Sequence, residues 1–578
     1  MARRRPARSE SPPRPPVSTV ARSQANRAVG RWHRRIIRVV RRRPLVVAAA
    51  LVILHVFLGL LTFQPRPHTG GDNAAYITLG ESLLERGAYL ELWDPAEPPH
   101  TKYPPVFPAV LAVAMALGLQ PWVQLKLVVL GFSAAAVATA FFWMRSRRRA
   151  ALGLAVAALL AVSPGVLRES RWVLSDVPFW AFSMVALWAF DRLRADDWPR
   201  FGVATAATLL ALFTRSAGLP LVLAAGAWLA WRRRWTQLGL LSGAAAVLAA
   251  LWWLRSRAFA SGYVSEFWLV EPYQPELGTI GPADLVARIV ENLQKYITIH
   301  LPTLLAEATG VILLAISAAA AVLALWGWAR RMHQPRVAEL FLPAYLGLIL
   351  VWPAVWSGER FLLPVLPLLL FLAGESLARL VRRFGQRGAA VAMLPLAVVL
   401  ALMAPALVRA ADAGRECTAR YRGGERYPCL SNPFWIDFFE LAGATGDALP
   451  EGAVVLNRKP RLFHVLSGGV KARNYPLSSD AAAFFAAADS AGARYVIFDR
   501  LDDVSEYYLR PILVLHSSAF CVMRASQRTG TALFALVPGH DVETGATGAA
   551  REDGTISFAV CEADYWRDEE AMRRYGPR

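Results

Sequence analysis

Long apolar runs alternate with short arginine clusters along most of the chain, beginning with the run from Pro44 to Phe63. A helix needs roughly 20 apolar residues to cross the hydrocarbon core of a bilayer. Arginine clusters mark the cytoplasmic side of membrane proteins, and assigning every cluster to that side predicts about eleven spans with the N-terminus inside. The predicted spans are 44–63, 121–144, 150–166, 176–191, 200–214, 217–231, 236–254, 309–329, 337–355, 361–380 and 389–409.

One apolar stretch, residues 104–119, does not fit this alternation. It is too short to cross comfortably, and counting it as a span would move the cluster at Arg145–Arg149 to the outer side. We therefore predict a membrane-embedded helix on the outer face. Segments 200–214 and 217–231 are also short, so Arg215 between them is expected at the membrane surface or within it.

Three regions remain on the outer side: a loop at about 64–120, a loop at about 255–308, and the chain from 410 to 578. In the second loop, the apolar spacing of ADLVARIVENLQKYI predicts an amphipathic helix on the membrane surface. The C-terminal region has short β-branched and aromatic runs, which predict strands, and a helix that Asp480 would cap. We expect a small extracytoplasmic α/β domain. The predicted strands are AVVLN (453–457), RYVIFD (494–499) and ALFALV (532–537).

The composition agrees with this division of the chain into a membrane domain, 44–409, and two flanking regions. The 578 residues are 55% hydrophobic and 18% charged, which is outside the range of ordinary soluble domains. The net charge of +20 lies mostly in the clusters between spans, so it predicts membrane sidedness and no nucleic-acid binding. Residues 1–43 are rich in Arg, Pro and Ser, which predicts a disordered, basic cytoplasmic tail.

All four cysteines lie in the C-terminal domain, at Cys417, Cys429, Cys521 and Cys561. The predicted topology places them in an oxidising compartment, where disulfides form. Cys417 and Cys429 enclose a short loop and are the favoured local pair, although the sequence does not fix the connectivity. A zinc site is the alternative, but no CxxC pair supports it.

The segment GGDNAAYITLGESLLERGAYLELWDPAEPPHTKYPPVFPAVLA (70–112) carries the most specific pattern. An Asp outside the first span, a Tyr four residues later, a Gly-x-Tyr and a Lys-x-Pro-Pro resemble the first outer loop of the C-type glycosyltransferases. The branch with protein mannosyltransferases and the lipid A aminoarabinose transferase is the most similar. SPGVLRESRWVLSDVPFWAF (163–182), LFTRSAGLPLVLA (212–224) and ERFLLPVLPLLLFLAGE (359–375) continue the resemblance. The matching residues of the first loop are Asp72, Tyr76, Gly87, Tyr89, Lys102, Pro104 and Pro105.

The resemblance implies an all-α polytopic membrane enzyme of the bacterial cytoplasmic membrane with its site on the outer face. Such an enzyme transfers a hexose or pentose from a polyprenyl-phosphate donor to a lipid, glycan or protein acceptor. That reaction needs a carboxylate base that deprotonates or orients the acceptor, and cations that stabilise the departing phosphate. The expected catalytic acids are Asp72, Asp176 and Glu169. The expected phosphate ligands are Lys102, Arg215, Arg255, Arg257 and Arg360, and Tyr76, Tyr89 and Tyr103 are expected to line the substrate pocket.

Several of these residues also have a structural interpretation, and Arg255 and Arg257 could anchor the seventh span at the lipid headgroups. Asp72 and Asp176 could simply cap helices, Glu169 could pair with Arg168, and Arg360 could pair with Glu359. The cofactor is unknown: a divalent metal between the acids stays open, but no Asp-x-Asp or Asp-Glu pair follows Asp72. A multi-spanning transporter and a surface-polysaccharide polymerase or ligase are the alternative functions, although no internal repeat of the kind that transporters carry is visible.

Overall fold

The computed structural model describes residues 38–119, 122–147, 149–257, 266–382, 385–538 and 558–576. Most of the predicted tail, 1–43, therefore lies outside the described residues, as do Arg148 and part of the second outer loop. A helix occupies each of the predicted spans. The helices up to residue 422 are α1 Pro44–Leu61, α2 Gly71–Arg86, α3 Val106–Ala116, α4 Leu125–Ser146, α5 Ala150–Val162, α6 Pro164–Glu169, α7 Asp176–Asp191, α8 Trp198–Thr214, α9 Leu219–Trp231, α10 Trp235–Ser256, α11 Pro282–Lys295, α12 Leu301–Ala306, α13 Val311–Arg331, α14 Val337–Val351, α15 Leu366–Val381 and α16 Gly385–Arg422.

Five helices in the described part of the chain are long and apolar enough to cross a membrane: α1, α4, α10, α13 and the segment Met393–Arg422 of α16. Helices α5, α9 and α14 are apolar but shorter. The helices pack into one bundle, and α1 is tied to α4 and α5 through His55, which bonds Ser133 Oγ at 2.8 Å and the carbonyl of Ala161 at 2.9 Å. The chain is a multi-pass integral membrane protein.

The arginine clusters between the predicted spans meet at one end of the bundle. Arg147 bonds Asp191 and Glu339, and Arg149 bonds Glu375 at 2.9 Å, which links the segments after α4, α7, α13 and α15. Glu375 also accepts from Arg331 at 2.7 Å. The cluster at 232–234 joins them because Arg234 donates to the carbonyl of Arg194. One end of the bundle therefore carries the described arginines of these clusters, as a single cytoplasmic face requires.

The sidedness of this face stays a prediction that cysteine labelling tests. We expect Ala96→Cys, which is exposed in the first outer loop, to react with an impermeant maleimide in intact spheroplasts. Gln334→Cys, which is exposed between α13 and α14, should react only after permeabilisation. Labelling of Gln334→Cys in intact cells would refute the predicted orientation.

The outer loops contain the two non-spanning helices that the sequence predicts. The apolar stretch 104–119 forms α3, which begins after the Pro104–Pro105 corner and has only 11 residues. Helix α11 presents Val286, Val290 and Leu293 to the outside, as a helix lying on a lipid surface would.

The C-terminal region is a mixed α/β domain built on a six-stranded sheet in the order β2-β1-β3-β5-β4-β6. The three predicted strands are present, as Val454–Leu456, Tyr495–Phe498 and Ala532–Leu536. Asp480 caps the helix Ala481–Ala491 as expected, by accepting a hydrogen bond from the amide of Ala482. The strands are β1 Val454–Leu456, β2 Lys471–Arg473, β3 Tyr495–Phe498, β4 Phe520–Ala525, β5 Ala532–Leu536 and β6 Ala559–Val560. The helices are α17 Pro433–Ala448, α18 Pro460–Leu466, α19 Ala481–Ala491, α20 Arg510–Leu515 and α21 Glu569–Tyr575.

Two disulfides brace this domain, Cys417–Cys429 and Cys521–Cys561. The first closes the loop that the sequence favoured, at the end of α16, and the second ties β4 to the chain just after β6. The four cysteines are therefore committed to covalent cross-links, which disfavours the zinc alternative.

The domain is docked on the first outer loop through its edge strand β2. The amide of Ala472 donates to the carbonyl of Trp93 at 2.7 Å, and the flanking residues form ion pairs. Arg473 binds Asp94 at 2.7 Å and Lys471 binds Glu97 at 2.5 Å. The loop with the candidate site thus lies between the membrane bundle and the sheet.

Candidate active site

Asp72 lies in the first turn of α2, the helix that follows the first membrane helix in the chain. Helix α2 begins at Gly71 with Gly70 in the capping position, and no side chain caps it. The structure therefore does not support the interpretation of Asp72 as a helix cap. Its carboxylate is 40% exposed although protein groups surround it, so it faces open space at the centre of the site.

Three groups from distant parts of the chain converge on this carboxylate. The hydroxyl of Tyr103 donates to Oδ1 at 2.7 Å, and the guanidinium of Arg360 lies 3.5 Å from Oδ2. Arg461, from α18 of the C-terminal domain, lies 4.0 Å from Oδ1 and donates to the Tyr103 oxygen at 3.0 Å. Burial raises the pKa of Asp72, but the two arginines and the Tyr103 hydrogen bond outweigh it and lower the pKa to about 2.

Asp176 forms a second carboxylate–guanidinium pair at the start of α7. It accepts from Arg215 at 2.8 Å, and the same guanidinium donates to Ser175 Oγ at 3.2 Å. Ser175 is also hydrogen-bonded to the Tyr76 hydroxyl at 2.7 Å, and the Tyr76 ring lies 5.0 Å from that of Tyr103. This contact joins the Asp176 pair to the Asp72 group.

Glu169 ends α6 and lies nearby, with a side chain that is only 7% exposed. It bonds Arg168 at 3.1 Å, as the structural interpretation expects, and Arg168 also binds Glu359 at 2.5 Å. Burial raises the pKa of Glu169 to about 7, against the opposing charge of Arg168. Glu359 is bound by Arg168, and its neighbour Arg360 lies against Asp72. The two residues that the sequence left open as an ion pair, Glu359 and Arg360, thus have these other partners.

The remaining predicted phosphate ligands lie apart from Asp72 and have other partners. Lys102 binds Glu266 at 2.7 Å and lies over the Trp356 ring. Arg255 donates to the carbonyls of His100 and Tyr89 at 2.6 and 2.8 Å. Arg257 stacks on Trp253 near the end of α10, where the anchoring alternative would place it.

An apolar groove of about 660 Å³ runs between α2, α3, α8 and α10 and ends at Arg255. Tyr89 and Pro105 line it next to Arg255, and the Tyr89 hydroxyl donates to the carbonyl of Tyr103 at 3.0 Å. Tyr103 therefore links the wall of the groove to the Asp72 carboxylate. The other lining residues are Leu83, Val106, Ala206, Leu209, Leu210, Phe213, Leu248, Leu251 and Trp252.

The carboxylates of the site do not form a metal-binding set. Within the described ranges, no group of three or more His, Cys, Asp or Glu side chains has the spacing of a metal site. Guanidinium groups already stand beside Asp72 and Asp176, where a cation would have to bind. The donor set fits charge stabilisation by arginine.

Arg461 is a residue of the site that was not predicted from the sequence. It is separated from Asp72 by the whole membrane domain, and a lone arginine after Lys459–Pro460 has no distinguishing pattern. Only the docking of the C-terminal domain brings α18 against α2.

Comparisons with known proteins add to this geometry. No protein-family model matches the sequence, and no curated protein matches it either. Solved structures do match. The crystal structure of ArnT from Cupriavidus metallidurans bound to undecaprenyl phosphate is 14% identical, with a TM-score of 0.52 over 85% of this chain and 98% of that one.

The Archaeoglobus fulgidus oligosaccharyltransferase, solved with zinc and sulfate, is 12% identical, with a TM-score of 0.50 over 84% of this chain and 72% of that one. At these identities the matches concern the fold. The arrangement of membrane helices, outer loop helices and C-terminal α/β domain is similar to that of both structures. The chain therefore has the fold of the C-type membrane glycosyltransferases that use lipid-linked sugars.

Proposed function

We propose that this protein transfers a hexose or pentose from a polyprenyl-phosphate donor to a lipid, glycan or protein acceptor on the outer face of the bacterial cytoplasmic membrane. The observation that carries the proposal is the Asp72 carboxylate, held between Arg360 and Arg461 beside an apolar groove. A reacting carboxylate, cations for a phosphate and an apolar surface for a prenyl chain are the parts that this reaction needs.

The groove between α2, α3, α8 and α10 suits the prenyl tail of the donor. Its walls are apolar apart from Arg255. Arg255 and Lys102 already have protein partners, so the cations offered to the phosphate are the arginines beside Asp72 and Asp176. ArnT, whose structure contains undecaprenyl phosphate, provides a precedent for a prenyl phosphate on this fold.

The chemistry follows from the charges around Asp72. The acceptor hydroxyl or amine attacks the anomeric carbon, the bond from that carbon to the phosphate oxygen breaks, and the polyprenyl phosphate leaves with the electron pair. Asp72 orients the acceptor and takes its proton, while Arg360, Arg215 and Arg461 stabilise the growing negative charge of the phosphate. Asp176 holds Arg215 in place, and Glu169, whose pKa is near 7, is the candidate for proton relay.

The charged network at the opposite end of the bundle favours an enzyme over a transporter. Arg147, Asp191 and Glu339 have side chains no more than 2% exposed and bridge several membrane helices. Alternating access would require this end to open, which would break these buried pairs. A polymerase or ligase shares the donor chemistry and is distinguished by its acceptor.

Transfer in the absence of an ion gradient tests the proposal. Purified protein in proteoliposomes is given polyprenyl phosphate carrying a radiolabelled hexose or pentose, together with membrane lipids, glycans or surface proteins as acceptors. We expect label to move from the donor into one acceptor fraction. If the label crossed the membrane only under an imposed gradient, and stayed linked to the polyprenyl phosphate, the result would indicate transport instead.

Arg461 gives a prediction about the pH dependence of transfer. Arg461→Gln removes a positive charge near Asp72, so the pKa of Asp72 rises from about 2. Because the reaction uses the ionised carboxylate, activity is present above this pKa and lost below it. We expect the acid limb of the kcat profile to move to higher pH and turnover to fall by roughly tenfold.

Arg473→Gln serves as the control for Arg461→Gln, since it also removes an arginine at the docking surface but lies against Asp94. We expect it to leave the pH profile in place. An unchanged acid limb in Arg461→Gln would exclude an electrostatic role for Arg461.

A further inference from the structure

A second pocket lies at the opposite end of the bundle from Asp72, where the arginine clusters converge. It has a volume of about 440 Å³ and is lined by Arg41, Arg145, Ser146, Ala150 and Arg192. These residues come from the chain just before α1, the end of α4, the start of α5 and the end of α7. Neither the fold comparison nor the proposed reaction assigns a role to it.

The three arginines have like charges and no counter-ion in the described part of the chain. No carboxylate there lies within 4.0 Å of Arg41, Arg145 or Arg192, although Arg145 donates to the carbonyl of Arg41 at 3.4 Å. The nearest acid in sequence, Asp191, is already bound by Arg147 and Arg336. Burial and then the charge of Arg145 lower the pKa of Arg192, which indicates that the two guanidinium groups repel each other.

The start of α5 adds a second attraction for an anion. Ala150 is its first residue, and Arg149 in the capping position makes no side-chain bond to the free amides of the first turn. Helix N-termini carry partial positive charge and unsatisfied amide donors, so they favour phosphate and carboxylate. Three arginines and this helix terminus therefore line the same cavity.

The depth of the pocket indicates where the anion comes from. Helix α4 is long and apolar enough to cross the membrane, and the pocket lies at its last residues, Arg145 and Ser146. This is the level of the lipid headgroups, and basic pockets between membrane helices bind acidic headgroups. We propose that the pocket binds the phosphate group of an anionic phospholipid.

Native mass spectrometry of the purified full chain tests this proposal. The protein is titrated with phosphatidylglycerol and, separately, with phosphatidylcholine of the same acyl chains. We expect retention of phosphatidylglycerol in preference to phosphatidylcholine, and a loss of affinity of about tenfold or more in the double variant Arg145→Gln/Arg192→Gln. Equal binding of the two lipids, or an unchanged affinity in the double variant, would overturn the proposal.

Arg330→Gln is the matched control, because Arg330 is an exposed arginine at the same end of the bundle and stacks on Trp326 away from the pocket. We expect its lipid binding to equal that of the wild type. The double variant loses two repelling charges, so its melting temperature without lipid should be no lower than that of the wild type, while the stabilisation by phosphatidylglycerol should disappear.

A competition arm distinguishes a lipid from a soluble phosphate. Short-chain phosphatidylglycerol and inorganic phosphate are added as competitors at equal concentrations. The short-chain lipid should displace the bound lipid, and inorganic phosphate should not. Equal displacement by both would assign the pocket to a soluble anion and refute a lipid site.

Discussion

Replacing Asp72 with Asn should lower transfer by about a hundredfold or more, the range that loss of a general base usually gives. The amide keeps the size of the side chain and can still accept the hydrogen bond from Tyr103, but it carries no charge between Arg360 and Arg461. The change should reduce kcat while donor binding stays close to that of the wild type, because the group acts on the transition state. Single-turnover transfer of radiolabelled sugar in proteoliposomes measures both quantities.

Asp480→Asn is the matched control for Asp72→Asn. Asp480 caps α19 in the C-terminal domain, and Asn caps helices equally well, so neither activity nor stability should change. Near-normal turnover in well-folded Asp72→Asn protein would move the role of the acid to Asp176 or Glu169.

The largest expected loss of stability comes from Arg147→Met. The arginine side chain is 1% exposed and bonds Asp191 and Glu339, whose side chains are 1% and 2% exposed, and it also stacks on Trp143. Methionine fills much of the volume but leaves two buried carboxylates without their central cation, and only the more distant Arg336 and Arg331, each at 3.5 Å, remain beside Asp191 and Glu339. Breaking a buried ion pair from one side costs about 3–5 kcal/mol, and a loss of this order should lower the melting temperature in detergent markedly.

Two further variants separate this charge effect from loss of packing. Arg147→Met/Asp191→Asn/Glu339→Gln removes the stranded charges and should recover part of the stability. Arg232→Met removes an exposed arginine that stacks on Trp228 and should change the melting temperature little. If the triple variant melted below Arg147→Met, the carboxylates would not be the source of the loss.

The sequence predicted the membrane helices well because the bilayer imposes a strong local constraint. A backbone in hydrocarbon must satisfy its own hydrogen bonds, so each apolar run of sufficient length becomes a helix. The helix of the last span is longer than expected: α16 continues to Arg422, beyond the predicted end at residue 409. Polar residues do not stop a helix that leaves the membrane, so hydropathy alone could not find this end.

Strands β2, β4 and β6 were not predicted, and each omission has a physical reason. Strand β2 is only Lys471–Arg473, and two of its residues are charged because they bind the first outer loop. Strand β6 is Ala559–Val560, which is too short for any alternation to be recognised. The pattern of β4 is interrupted by a register shift between Val522 and Arg524. Tertiary contacts define all three.

Part of the candidate site was predictable because several of its residues are close together in the sequence. Asp72, Tyr76 and Tyr103 lie in one loop, and their order along the chain already suggested a shared site. The pairing of Asp176 with Arg215 and of Asp72 with Arg360 depends on how α7, α8 and the segment before α15 pack, which no local pattern records. The carbonyl contacts of Arg255 depend on the fold of the loop itself, so its bonding partners could not be anticipated.

The docking of β2 on the first outer loop has a consequence for how this protein can be divided. Strand β2 is the outermost strand of its sheet, and the backbone bond from Ala472 to Trp93 covers that edge. An expressed fragment that begins after the last membrane helix would present this edge to solvent, and bare edges recruit other strands. The C-terminal sheet is thus a poor candidate for separate expression, and exchanging it between related proteins would also exchange Arg461 and the surface that holds the first outer loop.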